Sequence, residues 1–208
     1  MNRKEHWQHV YQTKGPTDVS WFQSQPTLSL RLIASAGLEK YQGIIDVGGG
    51  ASVLVDCLLG AGFQRVAVLD ISADALKHTK QRLGARAGAV EWFEADVTEF
   101  MPPRRFDLWH DRAVFHFLTD RADRQKYVQT LQRTLASDGH VVIATFAIGG
   151  PTRCSGLDVC RYDPTGICAE LGAGFELREQ VDEMHVTPWN TGQKFSWFRF
   201  DRKQNRPS

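Results

Sequence analysis

A chain of 208 residues, 42% hydrophobic and 24% charged, has the length to bury one domain's core without metal or disulfide support, and its formal net charge of +1 offers no broad positive field for nucleic acid or anionic membrane. The first residues are charged and lack an apolar signal core, and the longest apolar run, around residues 141–148, is far too short to span a bilayer, so a cytoplasmic protein is expected. Cys57, Cys154, Cys160 and Cys168 form no Cys-x-x-Cys pair, so free thiols and no metal site are expected.

Two helices are expected before residue 41. One covers 4–13, with Trp7, Val10 and Tyr11 at spacings of three and four; the other covers 26–40, with Leu28, Leu32 and Ile33 as its apolar stripe. Joined through Gly15-Pro16-Thr17, they form an N-terminal extension over 1–40 ahead of a core over 41–200, within a single domain over 1–208.

From residue 42 the pattern alternates: strand 43–47, helix 51–59, strand 66–70, helix 73–83, strand 89–93, strand 106–110, helix 121–136 and strand 140–146. Tyr127, Val128, Leu131 and Leu135 share the helical face of 121–136, and Ser137-Asp138-Gly139 supplies the turn after it. Apolar strands alternating with amphipathic helices predict right-handed βαβ units in a parallel sheet. Gly149-Gly150-Pro151 opens an irregular stretch, followed by a short helix over 164–171. Strand-like stretches 175–186 and 194–200 have no helix between them and should pair antiparallel. The tail 202–208 is expected to be mobile.

The first strand runs into glycines in "IIDVGGGAS", residues 44–52. Bare backbone there lets amides approach a ligand, which marks a cofactor site at the carboxyl edge of the strand, although glycines also serve turn geometry alone. A dinucleotide turn needs a small residue three positions after the second glycine; counting from Gly48 and Gly50 that position is Val53, which disfavours a pyrophosphate.

S-adenosylmethionine asks instead for a loop accommodating its methionine end, an acid for the ribose diol and polar recognition of adenine. Asp46, just before Gly48, Gly49 and Gly50, is placed to orient the turn or to meet the methionine ammonium through water. Asp70 ends the second strand 22 positions after Gly48, where a carboxylate accepts from ribose hydroxyls; its other reading is a helix cap. Asp96 is placed to accept from the adenine amino group, or else is a turn residue before Thr98. Ile71 and Val97 would sandwich the purine.

The order "IIDVGGGAS", "VAVLDIS", "FEADVTEF", "FDLWHDRAVFHFL", "LASDGHVVIATF" resembles the class I S-adenosylmethionine-dependent methyltransferases, over roughly residues 43–200. That resemblance implies a Rossmann-like α/β fold: a seven-stranded, mostly parallel sheet with an antiparallel terminal strand, in a three-layer αβα sandwich. It implies S-adenosylmethionine as cofactor, with Gly48 and Gly50 as loop glycines, Asp70 on the ribose, Asp96 at the adenine, and His110 to Arg112 at the strand end where the methyl meets its acceptor. The loop reads Gly-Gly-Gly-Ala-Ser rather than Gly-x-Gly-x-Gly, and the Asn/Asp-Pro-Pro-Tyr motif of many amide-nitrogen methyltransferases is absent.

Methyl transfer from a sulfonium needs mainly in-line positioning, worth up to ~7–11 kcal/mol, and a base only if the acceptor begins protonated. Asp111 and His116 are the candidate bases, each with a structural reading beside it. Trp7, Tyr11 and Trp21 are core residues or part of a lid over the cationic cofactor. Arg153, His185 and Trp189 are candidates for shaping the acceptor pocket, or plain surface residues. The expected acceptor is a nucleophilic O, N or S atom of a small molecule. "HWQHVYQTKGPTDVSWFQ" also resembles the start of lysine methyltransferases acting on elongation factor 1A and citrate synthase, which makes a protein lysine the alternative; a nicotinamide oxidoreductase is a distant third.

Overall fold

The computed structural model describes residues 2–204; the expectation of a mobile tail therefore falls partly outside the described residues. Its frame is a seven-stranded sheet in the order β3-β2-β1-β4-β5-β9-β8, built from β1 (Gly43–Val47), β2 (Arg65–Asp70), β3 (Val90–Glu94), β4 (Phe106–Arg112), β5 (Leu135–Phe146), β8 (Phe175–Val186) and β9 (Gly192–Arg202). β1 pairs parallel with β2 and β4, β2 with β3 and β4 with β5, whereas β9 runs antiparallel between β5 and β8. Arg202, expected in the tail, ends β9, where it pairs with Phe175.

Helices cover both faces. α3 (Leu54–Gly60) and α4 (Ala73–Leu83), with α2 (Thr27–Ser35), bury Leu32, Ile33, Leu54, Leu58 and Leu76 against Ile44, Val68 and Trp197. α5 (Arg121–Thr134) and α6 (Pro164–Leu171) bury Tyr127, Leu131, Ile167 and Leu171 against Ile45, Trp109, Ile143 and Phe198 on the other face. Residues of β1 alternate between the two cores, Ile44 to one and Ile45 to the other, so that both faces of this central strand are buried. α1 (Arg3–Thr13) crosses the rim near the start of α4, where the Gln8 amide donates to Asp74 and accepts from the Ser72 hydroxyl.

Several boundaries depart from the sequence reading for local reasons. α2 stops at Ser35 rather than running to residue 40, because Gly37 adopts φ +72° and turns the chain. The helix expected from residue 51 starts at Leu54: Ser52 bonds back to the Gly49 carbonyl, and its hydroxyl accepts from the Leu54 amide, so residues 48–53 form a turn rather than a first helical turn. Residues 137–139 are not a free turn but part of β5, bulged where Phe106 pairs with Leu135 and Leu108 with His140. The irregular stretch after Gly150 contains a small hairpin, β6 (Arg153–Cys154) and β7 (Leu157–Asp158). Among the described residues no helix is long and apolar enough to cross a membrane.

Candidate active site

The strand order reverses between β1 and β4: the chain steps outward through β2 and β3 on one side, then through β4 and β5 on the other. Parallel sheets of this kind open a crevice at that reversal, beyond the carboxyl ends of the strands. A cavity lies there, lined by Gly48 after β1, Asp70 and Ile71 after β2, Asp96 and Val97 after β3, and Arg112 to Val114 after β4. Trp7, Tyr11 and Trp21 roof it, and Phe146, Cys154 and Phe195 close its far end.

Gly48 has φ +69°, and a Cβ there would lie 2.1 Å from Val114 Cγ2, so both the turn and the close approach demand glycine. Gly49 and Gly50 serve the loop from beneath: a Cβ on Gly49 would strike the Asp46 carboxylate at 2.2 Å, and one on Gly50 the Cβ of Ala75 at 2.6 Å. Neither of these two glycines lines the main cavity, so of the triplet only Gly48 offers its backbone to a ligand there.

Asp70 sits on the cavity wall with one oxygen accepting from the Gly50 amide at 2.9 Å and the other from the Ser72 amide at 2.8 Å. It thus ties the glycine turn to the start of α4, where Ser72 rather than Asp70 is the cap, accepting from the Ala75 amide. Burial pushes the Asp70 carboxyl up to about 6 despite these amides. Each oxygen keeps a second lone-pair direction for a hydroxyl donor. Asp96 accepts from the amide and hydroxyl of Thr98 at 2.9 and 2.8 Å, and its other oxygen faces Arg3 at 3.2 Å, so α1 is latched to the cavity wall after β3. Val97 and Ile71 line the wall beside it.

The triplet His110-Asp111-Arg112 divides by strand alternation. His110 points away from the main cavity: its Nδ1 bonds Asp46 at 2.7 Å and its Nε2 meets the Ser29 hydroxyl of α2 at 3.0 Å. Asp46 and His110 therefore brace the loop and α2 from below, lining a smaller pocket with Gly49, rather than standing where a cofactor would contact them in the main cavity.

Asp111 is fully buried on the opposite face, accepting from Tyr127 Oη at 2.5 Å and from the amides of Val114 and Phe115 at 2.8 and 3.1 Å. Tyr127 in turn accepts from Trp109 Nε1 at 2.8 Å. Asp111 lines no cavity, and a carboxylate holding three donors in an apolar core is an anchor for the turn after β4, which corrects its expected role as a base. That turn carries Ala113 at φ +71°, a strained conformation for a residue with a Cβ.

His116, also expected as a base, does line the cavity and is fully buried. The Phe146 amide donates to its Nδ1 at 3.2 Å, so the proton resides on Nε2, which is buried without a partner. Burial, with Arg112 nearby, lowers its pKa to about 3. A histidine so disposed is a neutral hydrogen-bond donor rather than a base. Since its folded-state pKa lies below the unfolded value of 6.5, its contribution to stability is complete above pH 6.5 and drains as pH falls toward 3, by about 1.4 kcal/mol per pH unit. The difference in unfolding free energy between the wild type and His116→Gln should therefore shrink by about 2 kcal/mol between pH 7 and pH 5 in parallel urea titrations.

The aromatic residues of the N-terminal segment pack together over the cavity: Trp7 lies edge-on against Trp21 and Phe117 at centroid distances of 5.7 and 4.9 Å, and Tyr11 against Trp21 at 6.3 Å. The three residues expected to shape the acceptor pocket are not brought into the cavity. Arg153 lies on the small hairpin, bonded to the Gly156 carbonyl and paired with Asp158. His185 is buried, and its Nε2 donates to the Ser20 carbonyl at 2.7 Å, holding down the segment before Trp21. Trp189 stands 59% exposed at the β8–β9 tip. Position along the sheet was a sound guide for the hairpin, but side-chain direction was not. Arg112, at the strand end marked by the resemblance, does line the cavity; Phe146, Phe195 and Gln193, which also line it, were not singled out, since nothing in their local sequence marks them.

Comparison with known proteins agrees with this geometry. The family described as "Methyltransferase domain" matches residues 45–141. The "eEF1A lysine and N-terminal methyltransferase" of Mus musculus is 25% identical over 155 residues, which is 74% of this chain and 21% of that protein. "Nodulation protein S" of Rhizobium tropici is 31% identical over 114 residues, 55% of this chain and 47% of its own length. The crystal structure of the N-methyltransferase NodS from Bradyrhizobium japonicum with S-adenosyl-L-homocysteine superimposes with a TM-score of 0.74 at 20% identity, covering 95% of this chain and 98% of that one. Over residues 45–141 the chain is thus similar to S-adenosylmethionine-dependent methyltransferases, and its fold is that of the solved ones. The chain spans about a fifth of the length of the eEF1A relative and about half that of the nodulation protein.

Proposed function

We propose that this protein transfers a methyl group from S-adenosylmethionine to a nucleophilic O, N or S atom of a small molecule. The observation that carries this reading is the cavity at the strand reversal, walled by Asp70, Asp96 and the Gly48 backbone and roofed by Trp7, Tyr11 and Trp21. The residues fit the cofactor: Asp70 has spare acceptor capacity for the ribose, Ile71 and Val97 supply apolar faces for the purine, and aromatic rings suit a cationic sulfur. When bound, the cofactor supplies an electrophilic methyl group; this chain's residues orient the partners and exclude water. Because Asp111 is committed to three donors and His116 is a neutral donor, the acceptor atom must arrive unprotonated. In this reading residues 1–40 act as a lid, held by exposed ion pairs such as Lys4 to Glu94 that are individually weak enough to open, and the protein works in the cytoplasm.

A protein lysine is the second reading, favoured by the identity with the eEF1A methyltransferase. Against a nicotinamide oxidoreductase stands Val53 at the position where a dinucleotide turn needs a small residue. Saturating S-adenosylhomocysteine should stabilise the protein, by about 2.7 kcal/mol at a hundredfold excess over Kd, while NADH leaves the melting temperature unchanged. Incubation of a cell extract with methyl-labelled S-adenosylmethionine should then place label in low-mass products; label confined to protein bands would replace the small-molecule reading with lysine methylation.

A further inference from the structure

Arg112 ends β4 on the face toward the N-terminal segment, where its Nη1 donates to the Trp21 carbonyl at 2.7 Å. Its Nε and Nη2 are buried and have no partner. The guanidinium lies 4.9 Å from the centroid of Phe195. Among the described residues Arg112 makes no ion pair: Asp46 bonds His110 through Oδ1 at 2.7 Å while its Oδ2 has no partner, and Glu183 accepts from Trp197 Nε1 at 2.8 Å, both near enough only to act on the guanidinium at a distance. Burial lowers the Arg112 pKa to about 10, which still leaves it a cation at neutral pH. A buried cation with two idle donors and no adjacent counter-ion is an unfavourable arrangement unless an anion completes it.

A third idle donor lining the cavity is His116 Nε2, in a side chain with no solvent exposure. Its ring stacks against the same Phe195 at 6.4 Å and lies 4.7 Å from Phe146. Donors from two elements thus flank one aromatic wall, on the side of the cavity away from Asp96 and Val97.

We propose that Arg112 and His116 form a carboxylate-binding subsite, so that the methyl acceptor is a small organic acid, its carboxylate on these donors and its apolar body along Phe146, Phe195 and Trp21. This rests on the methyltransferase reading above. The guanidinium supplies two parallel N–H donors of the kind that hold a carboxylate in a fixed plane, and His116 adds a third donor without competing for a proton. The anchored acid is thereby oriented beside the cofactor. The cofactor's own methionine carboxylate has the same chemistry, so the test separates the two sources.

S-adenosylhomocysteine binding to the wild type is measured first by calorimetry; failure there overturns the methyltransferase reading, and the remaining titrations are then made on the free protein so that the two failures stay distinct. Phenylacetate, benzoate and indole-3-acetate are next titrated into the S-adenosylhomocysteine-saturated protein beside their amides. At least one acid should bind about tenfold or more tighter than its amide, a preference lost in Arg112→Gln and reduced in His116→Phe, while S-adenosylhomocysteine affinity in Arg112→Gln changes by less than about threefold. No acid preferred over its amide in the wild type overturns the proposal, and this arm needs no variant to fold. Loss of tenfold or more in S-adenosylhomocysteine affinity in Arg112→Gln, with the acid preference retained, also overturns it by assigning the donors to the cofactor's carboxylate.

Discussion

Replacing Gly48 with alanine is expected to weaken S-adenosylhomocysteine binding by about a hundredfold or more. The residue holds φ +69°, which costs an L-residue roughly 1–2 kcal/mol, and its added Cβ would lie 2.1 Å from Val114 Cγ2. Relieving that overlap means moving either the glycine turn or Val114, both on the cavity wall, at a further cost of about 1–3 kcal/mol. The sum, about 2–5 kcal/mol, falls on the surface the cofactor must touch. Gly60→Ala is the matched control, because a Cβ there meets nothing within 4 Å at the end of α3, so binding and stability should be nearly unchanged. Calorimetric titration of both variants checks the contrast.

Asp111→Ala should lower stability by about 3–5 kcal/mol, since it strands the Tyr127 hydroxyl and the amides of Val114 and Phe115 in an apolar core. Asp111→Asn keeps an acceptor oxygen and should lose less. The pH behaviour of Asp111 follows from burial: its carboxyl is pushed up to about 6 from 3.8, so the folded state holds its proton more tightly than the unfolded chain does. The stability this group supports is complete below pH 3.8 and is lost as pH rises through 6, a swing of about 3 kcal/mol. The wild type minus Asp111→Asn difference in unfolding free energy should therefore be about 2 kcal/mol more favourable at pH 4 than at pH 7, the opposite sense to His116. Urea unfolding at both pH values measures it. A catalytic base at this position would instead show its largest defect in the methyl-transfer rate with little loss of stability.

Much of the frame was legible because its signals are periodic. β1, α4, α6 and β8 lie where apolar runs, a Ser72 cap, Asp163 before Pro164 and twofold alternation place them. The antiparallel ending followed from two strands with only a short connection between them. β5 was misread at its start because Ser-Asp-Gly is ordinary turn chemistry, and only pairing with β4 turns it into a bulged strand. The start of α3 was misread for a similar reason: nothing in Ala51-Ser52-Val53 forbids a helix, but the glycine turn consumes those residues.

The site was legible in position and less so in direction. Gly48, Asp70, Ile71, Asp96, Val97, Trp7, Tyr11 and Trp21 all reach the cavity, because strand ends and the crossing N-terminal helix bring them to one rim. His110 and Asp111 are adjacent in sequence yet face opposite cores, and no motif states which face of β4 looks at the ligand. His185 and Trp189 sit on the strand pair nearest the acceptor end, but the first serves the N-terminal segment and the second faces outward. The idle donors of Arg112 emerge only once burial and the partners of Asp46 and Glu183 are known.

The account turns on where the adenosyl group sits. A crystal structure with S-adenosylhomocysteine measures this most directly: the purine should lie between Ile71 and Val97, with the ribose hydroxyls within hydrogen-bond distance of Asp70. A ligand bound outside that rim, or a purine seated against the Asp46–His110 pocket instead, would contradict it.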